Sequence, residues 1–234
     1  MVFYVGSEKL EFSDKQLKAM YKNAGDEASV YKHGGKALKL YKSSCKKDRL
    51  SEDAVHFLMR YSGHTKRVLL PTDAIRDENG EFLGYAEDYI KPQRETGILH
   101  MKMKDFISEV DLLSRDVDFL SSNGVHVYDF YMGNVIFNNG IYVVDPGSYD
   151  VPSGAGKGSK INIEPSLIQN IREGNNYELK HLVVNSIFGM LPLSAKETKK
   201  VESMFSNSDS LCTVLTSTAN ENETVKQYVR RIAS

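Results

Sequence analysis

The sequence predicts an α+β protein of two lobes, with a small antiparallel sheet holding one helix over residues 1–90 and a mainly helical lobe over residues 91–234. Three observations predict it. Lys36 to Tyr41 (KALKLY) alternates with a period of two, which puts Ala37, Lys39 and Tyr41 on one face of a half-buried strand. From Met103 to Ser122, the residues Phe106, Val110, Leu113, Val117 and Leu120 recur at alternating steps of four and three, the stripe of an amphipathic helix. The change from one pattern to the other falls near Ile90 to Leu99.

The elements follow in order. Phe3 and Val5 alternate, and a short helix is expected through Leu17, Met20 and Tyr21. A turn at Gly25 leads into a strand through Ala28, Ser29 and Val30 to Lys32, and Gly34-Gly35 turns the chain into the KALKLY strand. Ser51 to Tyr61 has helical spacing through Val55, Leu58 and Met59, with Ser51 as N-cap. Val68 to Leu70 and Glu81 to Ile90 read as two more strands, separated by the turn-rich Asp77 to Gly80. Asn123-Gly124 closes the long helix, and Val125 to Tyr128 enters a loop. The loop feeds a hairpin in which Val135 to Phe137 pairs with Ile141 to Val144 across Asn138-Asn139-Gly140, where Asn-Gly supplies the positive φ angles of a tight turn. Pro146 to Lys160 is a Gly/Ser-rich loop, Tyr177 to Leu191 an apolar helix, and two further helices are expected at Ala195 to Phe205 and Glu223 to Ile232 around a polar linker.

Composition excludes several function classes. With 30 Lys+Arg against 31 Asp+Glu over 234 residues, the formal net charge is -1, so no overall field favours nucleic acid or an anionic membrane. The two cysteines, Cys45 and Cys212, have no C-x-x-C spacing, which argues against a disulfide framework or a zinc site and for a reducing, cytoplasmic setting. The start MVFYVGSEKLEF lacks the charged-then-apolar pattern of a signal peptide, and the uncharged run Leu182 to Ala195 is too short to span a bilayer.

The chemistry is concentrated at Asp129, Asn134 and Asp145. The first two lie five residues apart in the loop, and the hairpin carries the chain on to Asp145. Two hard oxygen ligands for a divalent cation and a separate carboxylate for a hydroxyl proton suit phosphoryl transfer, which asks a protein for positioning more than for covalent chemistry. As turn formers alone, the same residues would be ordinary.

VYDFYMGN at 127–134, the hairpin, and DPG at 145–147 resemble the catalytic segment of the protein-kinase-like superfamily, H-R-D-x-x-x-x-N followed by a hairpin and D-F-G. Upstream, the Gly25 to Lys32 segment is similar to that family's glycine-rich loop, and Ala37-Leu38-Lys39 to its A-x-K strand. The resemblance, to the Ser/Thr protein kinases and the aminoglycoside phosphotransferase-like enzymes, spans Gly25 to Leu191 and implies a divergent, compact, bacterial-type member with the two-lobed protein-kinase-like fold. It implies ATP and Mg²⁺ as cofactors, with Asp129 orienting the acceptor hydroxyl and Asn134 and Asp145 holding the metal. Lys39 then binds the phosphates, with Glu52, or Asp53 as the alternative, holding Lys39. Gly25, Ala28, Ser29 and Val30 cover the nucleotide, and the hinge at Glu87 to Lys91 offers backbone groups of Glu87 and Tyr89 to adenine. Glu178 stands in the place of the acid on the family's central helix.

The chain departs from the pattern at Val127 and Tyr128, which replace the histidine and arginine before the catalytic Asp. Tyr131 replaces a lysine found in Ser/Thr kinases, and Pro146 the D-F-G phenylalanine. Ser148, Tyr149, Ser153 and Ser159 occupy the place of an activation loop. A protein hydroxyl (Ser/Thr) is the preferred acceptor. The alternatives are a small-molecule hydroxyl and a pseudokinase that binds nucleotide as an interaction module, with no nucleic-acid or membrane partner in any case.

Overall fold

The computed structural model describes residues 2–24, 27–43, 50–154, 163–206 and 210–234. It is mixed α/β and divides into two units: Met1–Thr65, Leu69–Ile90 and Asp145–Ile163 form one, and Lys66–Val68, Lys91–Val144 and Glu164–Ser234 the other.

Among the described residues of the first unit, seven strands form one antiparallel sheet: β1 (Val2–Val5), β2 (Glu8–Glu11), β3 (Tyr21–Ala24), β4 (Ala28–His33), β5 (Lys36–Tyr41), β6 (Asp73–Arg76) and β7 (Phe82–Asp88), in the order β2-β1-β6-β7-β5-β4-β3. The pleat sorts the side chains. Leu38 and Ala86, opposite each other on β5 and β7, join Phe3, Leu10 and Ile75 in a buried cluster. One residue along, Lys39 and Tyr85 are also opposite each other and so point to the other face. Helix α1 (Asp14–Met20) starts in a capping box between Ser13 and Gln16 and lays Leu17 and Met20 on the apolar cluster. Helix α2 (Glu52–Met59), N-capped by Ser51, buries Ala54, Val55, Phe57 and Leu58 and packs on β6 and β7. The short helix expected through Leu17, Met20 and Tyr21 is α1, which stops at Met20 because Tyr21 already opens β3.

Val68 to Leu70 is not the expected strand. Val68 and Leu70 are buried, but Val68 makes only an isolated parallel bridge with Val143, and the ladder partner of β7 is Asp73–Arg76.

The second unit is built on α4 (Met103–Ser122), preceded by α3 (Gly97–His100) and followed by the hairpin β8 (Val135–Phe137) and β9 (Ile141–Val143). Then come α5 (Pro165–His181), a π-helical turn at Leu182–Ile187, α6 (Ala195–Ser206), α7 (Leu211–Thr218) and α8 (Val225–Ala233). The periodic residues of α4 are fully buried, and Phe188 forms ring contacts with Phe106, Phe205 and Tyr228 at 5.9 to 6.0 Å between centroids. The helix expected at Tyr177 to Leu191 begins at Pro165 instead, with proline in the first turn, where its missing N–H costs nothing. The polar linker holds α7, capped by Ser210, as an unexpected helix.

Two buried acids of α4 fix loops of the same unit. Asp116 accepts the backbone N–H groups of Lys66 and Val68 at 2.7 and 2.9 Å, although burial still pushes its carboxyl up. Glu109 pairs with Arg67 and also accepts the Ile141 N–H at 3.1 Å, which ties the hairpin to α4. Gly140 makes this closure possible, since a Cβ there would lie 2.9 Å from a Glu109 oxygen.

Candidate functional site

In the first unit, the opposed pair Lys39 and Tyr85 meets Asp145. The Lys39 ammonium forms an ion pair with Asp145 Oδ1, the Tyr85 hydroxyl donates to the same oxygen at 3.3 Å, and the Gly147 N–H donates to it at 3.2 Å. Asp145 adopts a left-handed backbone conformation, φ 65°, ψ 69°, uncommon for a residue other than glycine, and this lets its side chain fold back over Gly147. A Cβ on Gly147 would lie 3.3 Å from Lys39 Nζ and 3.6 Å from Glu27 Oε2, so a second carboxylate belongs to the group.

Glu87, two residues beyond Tyr85 on the same strand face, is a third acid of this face. It is buried, and burial, followed by the charge of Asp145, pushes its carboxyl up to about 8, with Lys39 pulling the other way. Burial and Asp145 likewise hold the Tyr85 phenol well above its ordinary range, so it acts as a donor. Among the described residues nothing bonds to Glu87 Oε2. One ammonium thus faces Asp145, Glu27 and Glu87. Formal local charge is negative even when Glu87 keeps its proton, and a phosphate arriving with a divalent cation meets both signs.

In the second unit, Asp129 is exposed and also has a positive φ, 59°. Its carbonyl accepts the Tyr131 N–H at 2.9 Å and the Asn134 side-chain amide at 3.1 Å, while the Asn134 carbonyl takes the Val144 N–H at 2.9 Å. Asn134 therefore spends its side-chain nitrogen on the loop, and among the described residues no hydrogen bond reaches its side-chain oxygen. Phe130 is fully buried and anchors the loop between exposed Asp129 and Tyr131. Below it, fully buried Asn175 of α5 accepts the Val127 N–H at 2.8 Å and donates to the Val125 carbonyl and the Ser121 hydroxyl, both at 2.9 Å. His126 Nδ1 and the Tyr128 hydroxyl share a hydrogen bond of 2.7 Å, and the His126 ring lies against Gly174, where a Cβ would not fit.

No family model matches the chain, and no curated protein matches it. Among solved structures, the chain is similar to the kinase PK-1 of the Cydia pomonella granulovirus, at 16% identity and a TM-score of 0.41, over 59% of this chain and 55% of that one. The chain thus spans little more than half of that kinase. The functional reading rests on the side chains themselves.

The expected residues fall as follows. Lys39 and Asp145 meet within the first unit, and Asp129 and Asn134 within one loop of the second. Glu52 does not hold Lys39. It pairs with Arg76 on β6 and approaches His56 Nε2 at 3.5 Å, because its helix face looks onto that strand. Val30 is directly across from Lys39 on β4, with Ser29 and Ala28 following in register; Gly25 lies outside the described residues. The Tyr89 N–H is taken by the Gly35 carbonyl at 2.8 Å, and Glu87 contributes a buried side chain beside its ladder position opposite Ala37. Tyr149 is 4% exposed, unlike Ser148 and Ser153, and Ser159 is outside the described residues. Glu27, Tyr85 and Asn175 were not anticipated. Asn175, not Glu178, reaches the loop, one helical turn earlier on α5. The register of Tyr85 against Lys39 was a signal within reach, since both strands were expected. Among the described residues no helix is long and apolar enough to cross a membrane, and no group of three His, Cys, Asp or Glu side chains is placed to hold a metal unaided.

Proposed function

We propose that the chain is an ATP- and Mg²⁺-dependent phosphotransferase of protein-kinase-like fold, which transfers the γ-phosphoryl group of ATP to a hydroxyl of a protein serine or threonine. A small-molecule alcohol is the other acceptor class. The observation that carries the reading is the Lys39–Asp145 pair, an ammonium with 8% of its side chain exposed held by a carboxylate that is itself 38% exposed. A buried lysine loses hydration, the acids Asp145, Glu27 and Glu87 replace part of it, and nucleotide phosphates accompanied by a cation supply the rest.

In this mechanism Lys39 binds the phosphates. Asp129 accepts the proton of the acceptor hydroxyl as that oxygen bonds to the γ-phosphorus, and the bond to the β–γ bridging oxygen breaks to release ADP. Asn134 Oδ1 and a carboxylate oxygen of Asp145 are hard donors that fit Mg²⁺, which when bound neutralises phosphate charge.

Incubation with labelled ATP, Mg²⁺, a generic protein and a panel of alcohols tests this. Asp129→Asn should lower transfer by about 10²- to 10⁴-fold. No transfer to any acceptor, with the variant indistinguishable from wild type, would remove the proposal. A second reading, a nucleotide-binding module without turnover, draws support from Glu52, which is engaged by Arg76 and His56 and leaves Lys39 to Asp145. ATP raising the melting temperature without any turnover favours that reading.

A further inference from the structure

Asp145 carries its interactions unevenly. Oδ1 takes the Lys39 ammonium, the Tyr85 hydroxyl and the Gly147 N–H, so that among the described residues the hydrogen bonds to this carboxylate all fall on Oδ1. Three donors saturate one oxygen of a carboxylate and fix its plane, which turns the other oxygen toward whatever the exposed part of the side chain meets. Of the three donors, the lysine is flexible and the Gly147 N–H is local to the turn. Tyr85 is the rigid one: it is fully buried, it is locked on β7 opposite Lys39, and its ring lies 5.7 Å from the ammonium it helps to place.

We propose that Tyr85 is a positioning residue which, through its hydroxyl, sets the orientation of Asp145 so that Oδ2 is the oxygen presented to a divalent cation carried by a nucleotide. This rests on the phosphotransferase reading above, and concerns which oxygen binds the cation and what aims it. At 3.3 Å the Tyr85 bond is long for a hydroxyl on a carboxylate, so its loss shifts the carboxylate rather than freeing it.

The test uses the full chain and Mn²⁺ as probe, with free Mn²⁺ followed by electron paramagnetic resonance in the presence of a non-hydrolysable ATP analogue, and analogue binding without metal measured by calorimetry. Tyr85→Phe should weaken Mn²⁺ binding by about three- to tenfold, the low end for a residue that orients a metal ligand, and leave metal-free analogue binding within about twofold. Tyr85→Leu, which also removes the ring beside Lys39, should weaken both. Gly147→Ala presses on the same oxygen from the other side, since its Cβ would lie 2.9 Å from Oδ1 and 3.3 Å from Lys39 Nζ, and should weaken Mn²⁺ binding by more than it weakens metal-free analogue binding. It keeps the test alive if Tyr85→Phe fails to fold. Mn²⁺ binding equal to wild type in whichever of these two variants folds overturns the positioning role alone. Wild type that binds neither Mn²⁺ nor analogue overturns the phosphotransferase reading, and this inference with it.

Discussion

The two regions that carry the candidate chemistry are held by different forces. In the first unit, Lys39, Tyr85 and Asp145 come from places far apart in the chain and meet through side chains, mostly buried, where a charge without its partner is costly. In the second, Asp129 and Asn134 sit in one short loop whose shape is fixed by backbone hydrogen bonds and by the buried amide of Asn175, while Asp129 itself is exposed. The first arrangement depends on strand register and charge. The second depends on backbone geometry and tolerates change at its functional tip, so stability and activity should separate there.

Gly84→Ala breaks the register side of this contrast and carries the largest expected effect. Gly84 has φ 154°, and a Cβ there would run into the backbone carbonyl of Lys39 on the paired strand. Overpacking and a strained backbone together cost on the order of 2–5 kcal/mol. Urea denaturation should show it, and nucleotide binding should fall with it because Lys39 is displaced. Unchanged stability would mean that β5 and β7 do not approach as described.

Asn175→Ala breaks the other side. It leaves the Val127 N–H and the Val125 carbonyl without their side-chain partner in a fully buried place, and the Ser121 hydroxyl with its bond to the Val117 carbonyl, at about 2–4 kcal/mol. Asp129→Asn, in the same loop, should leave the denaturation midpoint unmoved while transfer is lost. If both variants lost stability alike, the separation of scaffold from functional tip would be mistaken.

These contrasts also mark what the sequence could tell. The pleat of β5 was legible because a period of two needs no tertiary information, and it placed Lys39 on a face with Ala37 and Tyr41. The stripe of α4 was legible for the same reason. Val68 to Leu70 misled because a short apolar run looks alike whether it is a strand or a buried connection, and here Val68 is held by Asp116 across the unit. Glu52 was correctly read as sharing a face with His56, but its partner depended on β6, whose position was misjudged. Asn175 gave no signal at all, because a single amide in a polar helix stretch means nothing until the loop it holds is known. Helix α7 is rich in Ser and Thr, weak helix formers whose packing supplies what propensity lacks.

The smallest effect sharpens the electrostatic side. The folded chain keeps the Glu87 proton up to about 8, whereas the unfolded chain releases it near 4.5. Between those values the folded state binds more protons, so the contribution of Glu87 to stability is fully present below 4.5 and declines as pH rises toward 8, by at most roughly 1 kcal/mol per pH unit. Glu87→Gln should remove that decline and gain on wild type as pH rises. Urea midpoints at pH 5, 6.5 and 8 that run parallel for the two proteins would show that Glu87 is already ionised when folded.

The most direct measurement is calorimetric binding of ATP, with and without Mg²⁺, to wild type and to Lys39→Met, a volume-conserving change that removes the charge and spares the sheet. Wild type should bind, more tightly with Mg²⁺, and Lys39→Met, measured well below its own lowered melting temperature, should lose about a hundredfold or more in affinity while still folded. Equal binding by the two proteins, or no binding by wild type, would contradict the assignment of Lys39 and Asp145 to a nucleotide.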